Sequence, residues 1–530
     1  MSATKSSKTR RSSKRAPAGE GAYPFGPVLL TGLLALLVSV GAIWFFYRDG
    51  SLMNFGDAEA HLNIARRVLD SRTPGYDQLG TTWLPLPHIL MVPFARVNRL
   101  WQTGLAGSIP ASICFTIAAM FLFAAVRRVF ENVSCAAVAA GLFVLNPNAL
   151  YLQSSAMTEP VFFACLFGLL YFCVVFQQSQ PLWAAAGAGW FATLAALTRY
   201  EGWFLMPFVA VFFLAAGGER RVRAPMVYCA LAGIGPLLWL AYNWWLFDNP
   251  LEFFNGPSSA AAIQGGRPYP GHGDWLLAIK YFRAAAELCA GTPLFWIGLA
   301  GLAACLIQFR RAFWPAFLLA LPPLFYLLSI HSAGTPIFVP QLPPNAWYNT
   351  RYGLALLPLA AFSAAAIAGL MPGAVRPFAA AALLLAGAGQ WALFPRPASW
   401  ITWREAKANS EKRLEWTNRT VEFLAGNYKS GEAIFSDFGD MTGVYRRLGI
   451  PLRYTLTGDN GPQYNATIAR PDLFLWATWV VTFTGYPQQK AVDNARRRGP
   501  QYQLVKEIMM DGGPVIQIYR RPVIPKSTPK

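Results

Sequence analysis

The sequence predicts a polytopic α-helical membrane protein of about eleven spans, ending in a small α/β domain outside the cytoplasm. Three observations predict it. The 530 residues are 54% hydrophobic and only 13% charged, where a soluble globular domain carries about 25% charged residues. Apolar runs close to the bilayer-crossing length of about 20 residues recur from Pro27 to about residue 395. Beyond that point the composition turns polar and short strand and helix patterns replace the long runs. The chain therefore divides into a basic disordered tail (1–24), a membrane domain (25–395) and an extracytoplasmic α/β domain (396–530).

The opening "MSATKSSKTRRSSKR" is basic and polar and reads as disordered. The run Pro27–Phe46 spans the bilayer and reads as a retained first helix rather than a signal peptide, with the tail cytoplasmic. Further runs follow at about 105–126, 133–150, 160–177, 182–198, 202–217, 225–247, 291–307, 312–330, 350–371 and 378–395. Arg127–Arg128, "ERRVR" at Glu219–Arg223, Arg310–Arg311 and Arg376 then all fall on the side of the tail, as the positive-inside rule requires. The other side, the outer face of a cell inner membrane, receives the 48–104 loop, the turns "LNPNALYLQSSAMTEP" and "TRYEG", a long loop at about 248–290, the loop before Arg351 and the C-terminal domain. The Gly-, Pro- and Ser-rich "NGPSSAAAIQGGRPYPGHGD" reads as a mobile outer loop that orders around substrate.

In the C-terminal region "GEAIFSD" and "WVVTFTG" read as strands, and "DMTGVYRRLG" and "QQKAVDNARRRG" as helices. "YQLVKEI" and "PVIQIYRR" around "MMDGG" read as a terminal hairpin. This region carries 20 Lys and Arg against 12 Asp and Glu, which suits an anionic acceptor or lipid headgroups as well as a solvated surface. The net charge of +19 does not imply nucleic-acid binding, because the basic residues sit in a tail, short loops and the C-terminal region without a nucleic-acid-binding signature. Glycine-rich nucleotide loops are absent, and no internal repeat indicates a transporter of two related halves. The seven cysteines show no paired spacing and read as small apolar residues, all but Cys289 well inside the runs.

The ionisable residues near membrane depth gather on the outer side. In "FGDAEAHLNIARR" an amphipathic interfacial helix begins, with Asp57 near its start as either an N-cap or a base. His61 lies four residues on and shares the face of Asp57, whereas Glu59 points elsewhere. Taken alone, His61 reads as an interfacial polar residue. Glu159 precedes Pro160 at a helix N-terminus, where the dipole favours a carboxylate. Arg199 and Glu201 sit between two runs with almost no loop, either as an interfacial pair or as part of a site. Arg351 and Tyr352 open another span, where snorkelling explains Arg351 as well as anion binding does. Together these residues suit transfer chemistry on a lipid phosphate: a carboxylate takes the proton of an attacking hydroxyl, and forked guanidinium donors match a phosphate.

The order "GDAEAHLNIAR", "TTWLPLPHILMVPF", "NPNALYLQSSAMTEPVFFACL", "ALTRYEGWFLMPF", "YNWWLFDNPLEFF", "RYGLALLPL" resembles the GT-C membrane glycosyltransferases over roughly residues 25–395. The branch is that of the protein O-mannosyltransferases and the lipid A aminoarabinose transferases. The resemblance implies a GT-C-like membrane domain, a polyprenyl-phosphate-linked sugar as donor and inverting transfer to an extracytoplasmic protein, lipid or glycan acceptor. It places Asp57 as the catalytic residue, a base or a group that orients the acceptor. Glu59, His61, Glu159, Glu201 and Tyr352 fall to substrate, and Arg199 and Arg351 to the donor phosphate. Many relatives have adjacent Asp-Glu where this chain has Ala58 between Asp57 and Glu59, and an aromatic where it has His61. No cofactor is expected; a divalent ion on Asp57, Glu59 and Glu159 is disfavoured because no Asp-x-Asp accompanies them. A transporter or flippase of lipid-linked sugars is the alternative from another class, but it would place its charges along a midplane path.

Overall fold

The computed structural model describes residues 24–393, 399–437, 439 and 441–522. The basic tail expected at 1–24 falls, but for Pro24, outside them.

Among the described residues, six helices are long and apolar enough to cross a membrane: Gly26–Arg48, Leu105–Phe130, Glu159–Ser179, Arg223–Phe247, Arg310–Ser332 and Thr350–Leu370. Two bent pairs raise this to eight, and Leu182–Ala196, Tyr200–Ala216 and Arg376–Ala388 are shorter apolar helices at the remaining expected runs. The bends have local causes. Val133–Val144 and Pro147–Ser154 meet at 59°, because Pro147 has no N–H to give and Asn146 caps the new helix by accepting from the Asn148 and Ala149 amides. Trp275–Ala290 and Thr292–Gln308 meet at 108° around Gly291, whose φ of +90° suits glycine. The first limb of that pair lies where the sequence predicts an outer loop. Its buried stripe of Ala278, Tyr281, Phe282, Ala285, Ala286 and Cys289 has helical spacing. Within the loop expected to be mobile, Ser259 caps a five-residue helix, Ala260–Gln264. All seven cysteines are free, but Cys229 is exposed rather than buried.

The polar region opens with a 27-residue junction helix, Ile401–Asn427. Its N-terminus is capped by a distant residue: Asn148 Oδ1 accepts from the Thr402 amide at 3.0 Å and from the Thr402 hydroxyl at 3.1 Å. Five strands follow: β1 Ile434–Ser436, β2 Thr455–Leu456, β3 Trp479–Phe483, β4 Gln503–Ile508 and β5 Ile516–Arg520. They form one sheet in the order β2-β1-β3-β5-β4. β1 pairs in parallel with β2 and β3, while β5 pairs antiparallel with β3 and β4. Alternate residues face two layers. Phe435, Val480 and Tyr519 pack with Ala491, Val492 and Ala495 of the helix Pro487–Arg498. Ile434, Val481, Ile516 and Ile518 join the core that includes Trp416 of the junction helix. The predicted strands, helices and hairpin of this region are all present; the two-residue β2 is an addition.

Candidate functional site

Four helix starts converge at one end of the membrane domain. The outer helix Gly56–Arg67 begins after Phe55, which is extended and makes no side-chain cap. Asp57 therefore lies in the first turn and is not the N-cap, leaving its carboxylate available. Glu159 is the first residue of Glu159–Ser179, followed by Pro160. Arg199 is the extended residue that precedes Tyr200–Ala216. Arg351 and Tyr352 belong to a 3-10 turn, Thr350–Leu356, entered through Asn349 at a left-handed φ of 55°. Each start presents unpaired amides and the positive end of its dipole, so the assembly favours anions.

Both arginines come from a Thr-Arg-Tyr tripeptide, 198–200 and 350–352, with a glycine close behind. At Gly202 an added Cβ would lie 2.4 Å from the Ala195 carbonyl carbon, and at Gly353 2.3 Å from that of Ala285. Only glycine allows these turns to lie backbone to backbone on the neighbouring helix, and that contact sets where the two guanidinium groups emerge.

The side chains form one chain of ion pairs. Arg351 Nη2 pairs with Asp57 Oδ2, and Arg351 Nε lies 3.4 Å from Glu159 Oε1. Arg199 Nη1 is 3.1 Å from that same oxygen, and Arg199 Nε is 2.7 Å from Glu201 Oε1. Arg199 also donates to Thr158 Oγ1 and to the Tyr326 hydroxyl, each at 2.6 Å, and Tyr326 donates to Glu201. The Tyr352 ring stands between the two guanidinium groups, 5.6 Å from that of Arg199 and 5.1 Å from that of Arg351. It stacks on Tyr326 at 4.6 Å. A narrow pocket joins Glu159, Arg199, Glu201, Arg351 and Tyr352 to an apolar wall that includes Phe162, Phe163 and Leu166. One end is charged and the other greasy, as an amphiphile requires.

Asp57 keeps a side chain that is 38% exposed. Burial acts to raise its pKa, but the Arg351 guanidinium outweighs this and holds the carboxyl below its ordinary range. His61 shares the face of Asp57, as its spacing predicts, and is buried. Burial outweighs the attraction of Asp57 and Glu159 and pushes its imidazole down to about 4, so it is neutral at ordinary pH. Its Nδ1 lies 2.9 Å from His88 Nε2, and its ring meets Trp83 edge-on at 4.8 Å.

The structure brings together Asp57, His61, Glu159, Arg199, Glu201, Arg351 and Tyr352. It does not bring Glu59 with them. Glu59 turns to the C-terminal domain, where Arg446 Nε and Nη2 donate to its two oxygens at 2.6 and 2.9 Å. Asn63 Nδ2 adds a third bond at 2.9 Å. The bidentate pair explains why the Glu59 pKa is lowered although burial works to raise it. Tyr326 and His88 are site residues that the sequence reading passed over. A lone Tyr in an apolar helix signals a hydroxyl in need of a partner, and His88 stands in the quoted "TTWLPLPHIL". Among the described residues no group of three or more His, Cys, Asp or Glu side chains is placed to hold a metal ion.

Residues 97–245 match the family model described as dolichyl-phosphate-mannose-protein mannosyltransferase. ArnT from Cupriavidus metallidurans, bound to undecaprenyl phosphate, has a TM-score of 0.57 and 13% identity over 94% of this chain and 98% of its own. Its apo state gives 0.57 and 13% over 93% and 98%. The apo oligosaccharyltransferase of Archaeoglobus fulgidus gives a TM-score of 0.46 and 13% identity over 86% of this chain and 69% of its own. No curated protein matches the chain. By its fold over nearly its whole length and by the family match in its membrane domain, the chain resembles the GT-C membrane glycosyltransferases, in the branch that holds the protein mannosyltransferases and ArnT.

Proposed function

We propose that the protein is an inverting glycosyltransferase that moves a sugar from a polyprenyl-phosphate donor to an acceptor at the outer face of the inner membrane. The observation that carries this reading is the meeting of Arg199 and Arg351 at helix starts, beside an accessible Asp57 and an apolar wall. The undecaprenyl phosphate held by the ArnT relative is a ligand of the same chemistry.

In this scheme the polyprenyl chain lies along Phe162, Phe163 and Leu166 and its phosphate takes donors from the two arginines. Glu159 and Glu201 hold the guanidinium groups in place, and Tyr352 spaces them. Asp57 removes the proton of the acceptor hydroxyl as its oxygen bonds to C1 of the sugar from the face opposite the phosphate. The C1–O bond to phosphate breaks, its electron pair stays on the phosphate oxygen, and polyprenyl phosphate leaves. In the resting protein Asp57 is a weak base because Arg351 holds it ionised. A donor phosphate that draws Arg351 to itself removes that restraint and raises the basicity of Asp57 when the substrate is in place. His61, uncharged, does not compete for the phosphate as a counter-ion. Glu59 serves the docking of the outer helix rather than the sugar.

The test is sugar release from a labelled polyprenyl-phosphate sugar by the purified protein and by Asp57→Asn. Turnover that collapses in a folded variant still able to bind donor lipid supports the reading. Equal turnover moves the base elsewhere, and movement of the lipid-linked sugar across vesicles without release makes the protein a transporter.

A further inference from the structure

The C-terminal region touches the charged cluster itself at a place apart from the Glu59–Arg446 pair. Glu405 lies one turn into the junction helix, is 1% exposed, and comes from a polar segment that the sequence reading gave no role. Its carboxylate faces the backbone N–H groups of Asn349 and Arg351 at the start of the turn that carries Arg351. Its Oε2 is buried with no hydrogen-bond partner. A carboxylate at the start of a helical turn satisfies orphan amides and fixes the turn. The junction helix is itself fixed at this point. Asn148 caps it, Asn146 and Asn148 both donate to the Cys289 carbonyl at 2.9 and 3.0 Å, and Arg404 covers the Trp347 ring.

We infer that Glu405 is a positioning residue: it ties the junction helix to the Thr350–Leu356 turn and thereby sets where Arg351 stands relative to Asp57. The inference goes beyond the proposed reaction and rests on that reading only for the identity of the phosphate. Glu405 touches no reacting atom. It acts through the backbone of Arg351, so the soluble domain holds both members of the Asp57–Arg351 pair, one through Arg446 and Glu59, the other through Glu405. The titratable groups that face Glu405 are Arg351 on the turn, Cys289 on the helix Trp275–Ala290 and Tyr151 on Pro147–Ser154. Burial is the largest influence on its carboxyl and, against Arg351 and the two amides, pushes it up to about 7. Its hold on the turn then weakens as it ionises in the neutral range, because the folded arrangement favours the protonated carboxyl. A role that is only packing would not follow pH in that way.

The experiment is hydrogen–deuterium exchange of the full-length protein in detergent, read on peptides covering 347–356 and corrected for intrinsic rates. The series runs from about pH 5.5 to about pH 8.5 on wild type, Glu405→Gln and Glu405→Asp. Undecaprenyl phosphate binding is measured on the same samples. The expected result is that wild-type protection of the turn falls about tenfold on ionisation, an order taken from one unit of differential interaction. Glu405→Gln is expected to be flat with pH, and Glu405→Asp to keep part of the fall. Affinity for the lipid phosphate falls in Glu405→Gln. A flat wild-type series overturns the inference, and so does a fall that persists in Glu405→Gln. Should Glu405→Gln lose protection throughout the chain, the wild-type series and Glu405→Asp decide. Wild type that shows the pH-dependent protection but no affinity for undecaprenyl phosphate keeps the positioning role and removes the donor reading. Binding with a flat series does the reverse.

Discussion

Asp57 and Glu59 leave the same helix two residues apart and end in opposite situations. Asp57 is 38% exposed and meets an arginine of the membrane domain. Glu59 is 4% exposed and meets an arginine of the C-terminal domain. Two residues along a helix turn a side chain by most of half a circle, so adjacent acids are given separate work. One carboxylate stays partly exposed beside Arg351, while the other is sealed into a bidentate pair that fastens the outer helix to the C-terminal domain. The same division continues along the helix. His61 follows Asp57 into the cluster. On the domain side, Arg67 pairs with Asp459, and Asp70 accepts from Arg453 at 3.0 Å.

The sharpest break of the comparison is to neutralise each acid in turn. Asp57→Asn should lower kcat for sugar release by about 100- to 10,000-fold, the usual worth of a general base, with thermal unfolding near that of wild type. Glu59→Gln should do the opposite. It leaves the buried Arg446 without its charge partner and should cost about 3–5 kcal/mol of stability. Turnover per folded molecule should stay within about twofold. Equal effects of the two changes on turnover would end the division of labour. Arg351→Lys keeps the charge but loses the fork, and should raise KM for the donor by about 10- to 100-fold, read from steady-state kinetics. Trp101 donates to Asn63 Oδ1 at 2.9 Å on the docking side. Trp101→Phe should therefore lower stability by about 1 kcal/mol and leave turnover alone.

The pH profile sharpens the same comparison. The pKa of Asp57 lies below its ordinary 3.8 in the resting protein. The stability it contributes is fully present above that value and is lost as pH falls through the lower folded value. The acid limb of kcat/KM, which reports the free enzyme, should therefore be depressed. If donor phosphate draws off Arg351, the acid limb of kcat should lie at higher pH than that of kcat/KM. Coincident limbs would mean that Arg351 stays on Asp57 throughout. Glu405 has the opposite sign. Its carboxyl rises from 4.5 to about 7 on folding, so the folded state binds that proton more tightly. The stability at this group is fully present below about pH 4.5 and is lost as pH rises through about 7.

Much of the outer cluster was legible because its parts are local. Helical spacing separates Asp57 and His61 from Glu59, Pro160 marks Glu159 as a helix start, and a near-absent loop forces Arg199 and Glu201 together. The strands of the small sheet were legible as short alternating runs between turn residues. The partners were not. Arg446 stands 387 residues after Glu59, and its arginine pair "RR" looks like any solvated helix face. Tyr326 and Glu405 become part of the site only through packing between distant segments, which no periodicity reports. The helix Trp275–Ala290 was hidden because its amphipathic stripe follows a glycine- and proline-rich stretch.

The span between Glu59 and its partner has a consequence for how the molecule is made. Asp57 is synthesised 294 residues before Arg351, and Glu59 387 residues before Arg446. At elongation rates of about 5–20 residues per second, the second interval is about 20–80 s. Asp57 waits for its partner until Arg351 is made, and Glu59 waits longer still, for an arginine of the C-terminal region. The first loop is thus fastened by a segment made long after it. A chain that stops short of Arg446 can bring Asp57 to Arg351 yet leaves Glu59 without its bidentate partner.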